Sequence, residues 1–392
     1  MRYNFDEIVD RRGTSCYKYD LRKQIFRNEE VIPLWLADMD FKTPPFVIHA
    51  LQKRLEHEIL GYTYISPAFY DSAVRWNERR HNWKINPGWI TFAPGVVPAL
   101  NLLVLAFTDP GDAIIVQPPV YFPFFSAVTN HGRQLVQNPL RYDGITYTMD
   151  LDDLERKIDK RTRMMMFCSP HNPVGIVWPS GVLQRIAEIC LERNILLISD
   201  EIHADLVYRG YRHVPVSSLS PEIARNTITC MAPSKTFNLA GLSTSYLIIP
   251  DAKRLAQFKA TVDKFQAGSG NIFGYMAMEA AYTHGDDWLV QLMEYLEDNL
   301  NLLRDFVTHY IPQLRVINPQ ATYLVWLDCS ELGMSPDELR SFMVTKAGLG
   351  MSEGSRFGKE GEGFQRINIA CPRSVLYEAL LRLRTAMEKY FK

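Results

Sequence analysis

The stretch Thr227-Ile-Thr-Cys-Met-Ala-Pro-Ser-Lys-Thr-Phe-Asn-Leu-Ala-Gly-Leu242 decides the fold. Its opening, Thr227 to Met231, has the length and apolar content of a buried strand. Pro233 breaks the run among small and hydroxylated residues, Lys235 follows, and Gly241 lies just beyond. Two upstream stretches repeat the pattern. Arg163-Met-Met-Met-Phe-Cys168 is halted by Pro170 and leads to Asn172 in Ser169-Pro-His-Asn-Pro-Val-Gly175. Ile195-Leu-Leu-Ile-Ser199 leads to Asp200 in Asp200-Glu-Ile-His203. An amide, a carboxylate and an amine therefore each follow an apolar strand.

Outward from these runs, strands and helices alternate. Ala113-Ile-Ile-Val-Gln117 follows Pro110-Gly111, and Ser245-Tyr-Leu-Ile-Ile249 is another apolar run. Between them, Gly181 to Arg193 carries Val182, Leu183, Ile186, Ala187, Ile189 and Cys190 at helical spacing. Strands that are apolar on both faces and separated by helices predict an α/β fold, with a mainly parallel central sheet flanked by helices. Ligands of such sheets sit beyond the carboxyl ends of the strands, so one crevice can hold Asn172, Asp200 and Lys235. These three groups suit pyridoxal 5′-phosphate. The lysine amine carries the cofactor covalently, and an Asp pairs with the pyridinium nitrogen.

The character changes near residue 285. A long amphipathic helix is expected over Asp287–Tyr310, a strand over Thr322–Asp328 and a helix capped by Ser335 over Ser335–Ala347. A further strand follows over Phe364–Ala370, then a closing helix from Pro372. These elements predict a smaller α+β domain. The expected division is a large cofactor-binding domain, 46–285, and a small domain built from 1–45 and 286–392.

Composition narrows the class. With 392 residues, the chain exceeds one ordinary core, and 47% hydrophobic residues allow a large packed interior. A net charge of −1 without basic or acidic tails gives no sign of nucleic-acid binding. No apolar run reaches the roughly 18 residues of a membrane span, and the N-terminus lacks a signal-peptide core. The six cysteines are scattered with no Cys-x-x-Cys pair, which suits buried free thiols. The expected setting is a cytoplasmic enzyme with a small-molecule substrate and no membrane partner. No metal site is expected, because the nine histidines include no His-x-x-x-His pair.

The three motifs, in this order and at about these separations, resemble the fold type I pyridoxal-phosphate enzymes of the class I/II aminotransferase superfamily. Trp35-Leu-Ala-Asp-Met-Asp-Phe41 is similar to the N-terminal signature of the bacterial C–S lyase branch, the cystathionine β-lyase and cystalysin-like enzymes. His203 fits that branch, since ordinary aminotransferases usually carry Tyr there.

The resemblance implies roles residue by residue. Lys235 holds the cofactor and moves the Cα proton. Asp200 pairs with the ring nitrogen, although it also fits a helix N-cap. Asn172 bonds the cofactor's phenolic oxygen; His203 either does the same or is a buried structural histidine. Tyr121, in Pro118-Pro-Val-Tyr-Phe-Pro123, stacks on the ring and can assist proton transfer. Backbone donors at Gly95, Val96 and Val97, opening a helix, and the Ser234 hydroxyl bind the phosphate. Many relatives carry a phosphate-binding Arg where this chain has Ser243. Tyr62 or Tyr64 is expected to reach the phosphate from a second subunit, which makes a homodimer with a shared site. Arg366 grips the substrate α-carboxylate, assisted by the Ala37–Asp38 backbone.

The implied activity is β-elimination from L-cystathionine or related S-substituted cysteines, giving a thiol, pyruvate and ammonia. The alternatives are an aminotransferase of the same fold and a regulatory protein that binds a transcription factor.

Overall fold

In a computed structural model that describes residues 2–391, the apolar runs become neighbours in a seven-stranded sheet. Its order is Ile90–Ala93, Ser245–Ile248, Thr227–Met231, Leu196–Asp200, Thr162–Cys168, Ala113–Val116, Gln134–Gln137. Every pairing is parallel except the two made by Ser245–Ile248. Between Met231 and Ser245 lies only the single turn Ala240–Leu242, with no helix to carry the chain back for a parallel return.

Period-two alternation explains why both sheet faces are dry. Met164, Met166, Ile114, Val116 and Ile198 belong to one core cluster. Their neighbours Met165, Phe167, Ile115 and Leu197 belong to another on the opposite face. The helix Val96–Phe107 covers the first face with Ala99, Leu100 and Leu103. The helix Ser180–Glu192 covers the second with Leu183, Ile186 and Cys190. Register aligns Cys168 with Asp200 and Asp200 with Cys230, so three carboxyl ends finish level.

A four-stranded antiparallel sheet follows, ordered Arg315–Val316, Leu324–Asp328, Phe364–Asn368, Ser352–Glu353. The helices Asp286–Tyr310 and Arg373–Tyr390 pack with it in a shared core. The strand expected from Thr322 begins at Leu324, because Thr322 takes a φ of +72° that no strand accepts. The Ser335 helix has its capping box with Glu338, yet its α-turns end at Ser341 and give way to a wider turn over Phe342–Lys346.

The N-terminal segment lies across the second sheet. Ile32–Pro33 pairs in parallel with Leu349–Gly350, and the Asn368 amide donates to the Leu34 carbonyl. This threading brings residues 35–41 over the level strand ends. Among the described residues, no helix is long and apolar enough to cross a membrane.

Candidate active site

A cavity of about 230 Å³ opens above the level strand ends. Asn172, Asp200 and Lys235 all line it, together with Tyr121, His203, Ser234 and Ala37. The chain from Cys168 turns within a few residues to present Asn172. The Tyr121 amide donates to the Asn172 carbonyl at 3.1 Å, which fixes the aromatic beside the amide.

Gly95, Val96 and Val97 form the opposite wall. Gly95 has a φ of +113°, outside the range L side chains accept, and so lets the strand Ile90–Ala93 turn straight into the helix Val96–Phe107. The first-turn N–H groups of this 12-residue helix have no partners within it and favour an anion. Ser243 and Thr244 complete this wall.

Electrostatics set the cavity apart. Burial pushes the Asp200 carboxyl up to about 7, and a hydrogen bond from the Ile202 amide at 3.2 Å only partly opposes this. Asp200 forms no ion pair among the described residues. Burial draws the Lys235 ammonium down to about 8. Its Nζ donates to the Ala37 carbonyl at 2.7 Å. Burial, reinforced by Lys235 and Arg366, takes His203 down to about 3, so its imidazole is neutral. The His203 Nδ1 is buried without a hydrogen-bond partner.

Arg366 stands behind Asn172 rather than on the cavity wall. Its Nη1 donates to the Asn172 Oδ1 at 2.9 Å, and its Nη2 to the Trp35 carbonyl at 2.9 Å and the Ser352 Oγ at 3.2 Å. Its Nε has no partner, and the buried guanidinium faces no carboxylate among the described residues. Burial lowers it to about 10.

A buried carboxyl without a cation, a buried guanidinium without an anion, a lysine of lowered basicity and a helix N-terminus therefore surround one space. This donor set fits pyridoxal phosphate: ring nitrogen for Asp200, aldehyde for Lys235, phosphate for the Gly95–Val97 turn. Residues 29–383 match the family described as aminotransferase class I and II. The chain belongs to that family. It is 42% identical to the cystathionine beta-lyase PatB of Bacillus subtilis over 98% of this chain and 100% of that one. Protein MalY of Escherichia coli is 31% identical, over 98% and 99%. Cystalysin from Treponema denticola, a crystal structure containing pyridoxal 5′-phosphate, superposes with a TM-score of 0.97 at 38% identity, covering 99% of this chain and 100% of that one.

Within this aminotransferase class I and II chain, some expected residues lie elsewhere. Asp38 does not reach the cavity wall: Arg11 holds its carboxylate at 2.6 Å, and its carbonyl accepts from the Asn368 Nδ2 at 2.7 Å. Tyr62 and Tyr64 are exposed, and Tyr62 lines a groove with Ser269–Phe273 that Lys235 of the same chain does not border.

Other residues escaped the motifs. Asp205 accepts from the Thr236 hydroxyl at 2.8 Å and the Trp76 indole at 3.0 Å, with the His81 Nε2 at 3.1 Å. His81 meets His213 edge-on at 5.7 Å. The His213 Nε2 lies 2.8 Å from Glu201, which accepts from the Ser199 hydroxyl at 2.8 Å. Buried polar contacts thus run from the neighbour of Lys235 to His81 and from both neighbours of Asp200 to His213, and the two sets meet only through an edge-on ring contact. The sequence carried only a weak signal for it, Asp205 at the end of Ser199-Asp-Glu-Ile-His-Ala-Asp205.

Proposed function

We propose that this chain is a pyridoxal 5′-phosphate-dependent C–S β-lyase that converts L-cystathionine or a related S-substituted cysteine to a thiol, pyruvate and ammonia. The observation that carries the reading is Lys235 in one cavity with Asp200 and Asn172, in a chain matched over 98% and 92% of its length by proteins named cystathionine beta-lyase. Bound there, the cofactor supplies an electron sink for the pair left when the Cα–H bond breaks.

The chain's own groups do the rest. Arg366 receives the substrate α-carboxylate, with the Ala37–Asp38 backbone beside it. This meets a guanidinium that is otherwise buried without an anion. Lys235 takes the Cα proton, a task that suits an amine brought to about 8. The same amine, or the Tyr121 hydroxyl, returns a proton to the departing sulfur. Asp200 keeps the ring nitrogen protonated, and Asn172 donates its amide to the phenolic oxygen. Tyr121 covers the ring, while neutral His203 lies against the same edge. The Gly95–Val97 turn and Ser234 hold the phosphate. The net reaction consumes one water: the Cβ–S bond breaks, sulfur leaves as thiol, and the remaining three carbons become pyruvate as nitrogen leaves as ammonia.

We further infer a homodimer. Leu55, Ile59, Leu60, Tyr62 and Tyr64 form an exposed apolar segment that a second copy would cover, placing Tyr62 or Tyr64 at the partner's phosphate site. The domain division 46–285 against 1–45 with 286–392 belongs to the same reading. So does a cytoplasmic setting, which suits six free cysteines.

The test is direct. Loaded with cofactor and given L-cystathionine without any 2-oxo acid, the protein should release pyruvate and thiol in equal, sustained amounts. Turnover that starts only when a 2-oxo acid is added would make the chain an aminotransferase instead.

A further inference from the structure

The segment Gly354–Phe357 lies against the residues that carry Tyr121. The Val120 amide donates to the Phe357 carbonyl at 2.8 Å, and the Arg366 guanidinium sits 4.9 Å over the Phe357 ring. One residue earlier, the Arg356 guanidinium lies 4.4 Å over the ring of Phe122, the neighbour of Tyr121. Arg356 is exposed and forms no ion pair among the described residues. Arg340, in the same region, is by contrast paired with Glu353. A cation held on an aromatic face keeps its N–H edge free for an anion. Its field reaches the cavity: burial raises the Tyr121 hydroxyl, while the charges of Arg366 and Arg356 oppose the rise.

We propose that Arg356 is a specificity-determining residue that receives a carboxylate on the leaving group, so that the preferred substrates are S-substituted cysteines with an anionic distal end. The proposal rests on the lyase reading above. L-Cystathionine fits it, because it carries one carboxylate at each end. Arg366 takes the buried one, and Arg356, on the adjoining segment, takes the outer one. The outer site is open to solvent, so it selects among substrates and contributes little to the chemical step.

The experiment compares S-carboxyethyl-L-cysteine with S-propyl-L-cysteine, of similar length but uncharged at the end, as substrates of the cofactor-loaded enzyme. The ratio of their kcat/KM values should fall roughly tenfold in Arg356→Gln, through KM, as expected for one lost charge-assisted hydrogen bond. Arg356→Lys should retain most of the ratio, and Arg356→Glu should favour S-aminoethyl-L-cysteine. A ratio unchanged in Arg356→Gln, or an equal loss on both substrates, would overturn the proposal. Calorimetric binding of adipate, a plain dicarboxylate, separates the two readings. Adipate binding weakened in Arg356→Gln, with no thiol or pyruvate from any substrate, would keep the anion site and reject the lyase. Adipate binding unaffected by Arg356→Gln would reject the anion site.

Discussion

Asp40 and Asp200 are both buried carboxylates near the cavity, and the chain treats them in opposite ways. Asp40 is held by the Lys18 Nζ at 2.8 Å and the Arg11 Nη1 at 2.6 Å. Asp200 receives one backbone amide and no cation. Arg366 mirrors it, a buried cation with neutral partners only. Burying a lone charge costs several kcal/mol, so natural interiors pair such groups. Where the N-terminal segment is fastened down, the chain supplies both partners itself. Around the cavity it supplies one of each pair, Asp200 on the wall and Arg366 behind Asn172, and the proposed reading gives the other partners to cofactor and substrate. The difference between these regions separates a structural ion-pair cluster from a site.

The comparison can be broken in stages. Lys235→Ala removes the one cation that the chain does place in the cavity. It should abolish the visible absorbance of lysine-bound cofactor and cut turnover by roughly 10³-fold or more; an active variant would end the account. Asp40→Ala leaves the buried Lys18 ammonium with only its longer contact to the Asp38 carboxylate, 3.6 Å, and should cost about 3 kcal/mol in urea unfolding. A loss below about 1 kcal/mol would mean that this cluster is as unpaired in effect as the cavity. Arg366→Gln should raise the KM for cystathionine roughly 30-fold or more while the fold stays intact. An unchanged KM would mean that the guanidinium is structural, like Arg11.

How much of this could be read from the sequence depends on how local each signal is. Lys235, Asp200 and Asn172 were legible because each follows its own apolar strand, and parallel strands bring such ends together. Arg366, proposed above to receive the substrate carboxylate, was reached only through resemblance. Its surroundings, the Trp35 carbonyl and the Ser352 hydroxyl, come from segments with no periodic link to Phe364–Asn368. Ser245–Ile248 was legible as a strand but not as an antiparallel one, since a run buried on both faces carries no direction. Thr244 and His81 left no mark, because single hydroxyls and histidines look alike on every loop. The Ala37–Asp38 backbone was read from a motif, while Arg11, which holds the Asp38 carboxylate, lies outside that motif.

The most direct measurement is the pH dependence of unfolding free energy for cofactor-free protein, wild type against Asp200→Asn. The folded pKa of about 7 lies above the ordinary 3.8, so the native state holds this proton more tightly than the unfolded chain does. Its contribution is therefore intact below about pH 4 and lost as pH rises to about 7, a loss of up to about 4 kcal/mol. Asparagine keeps the acceptor for Ile202 and never ionises. The account predicts equal stabilities near pH 4 and a more stable variant at pH 8, with the advantage shrinking when cofactor is added. A variant less stable than wild type at pH 8 would show that Asp200 is already neutralised within the chain, and would contradict the account.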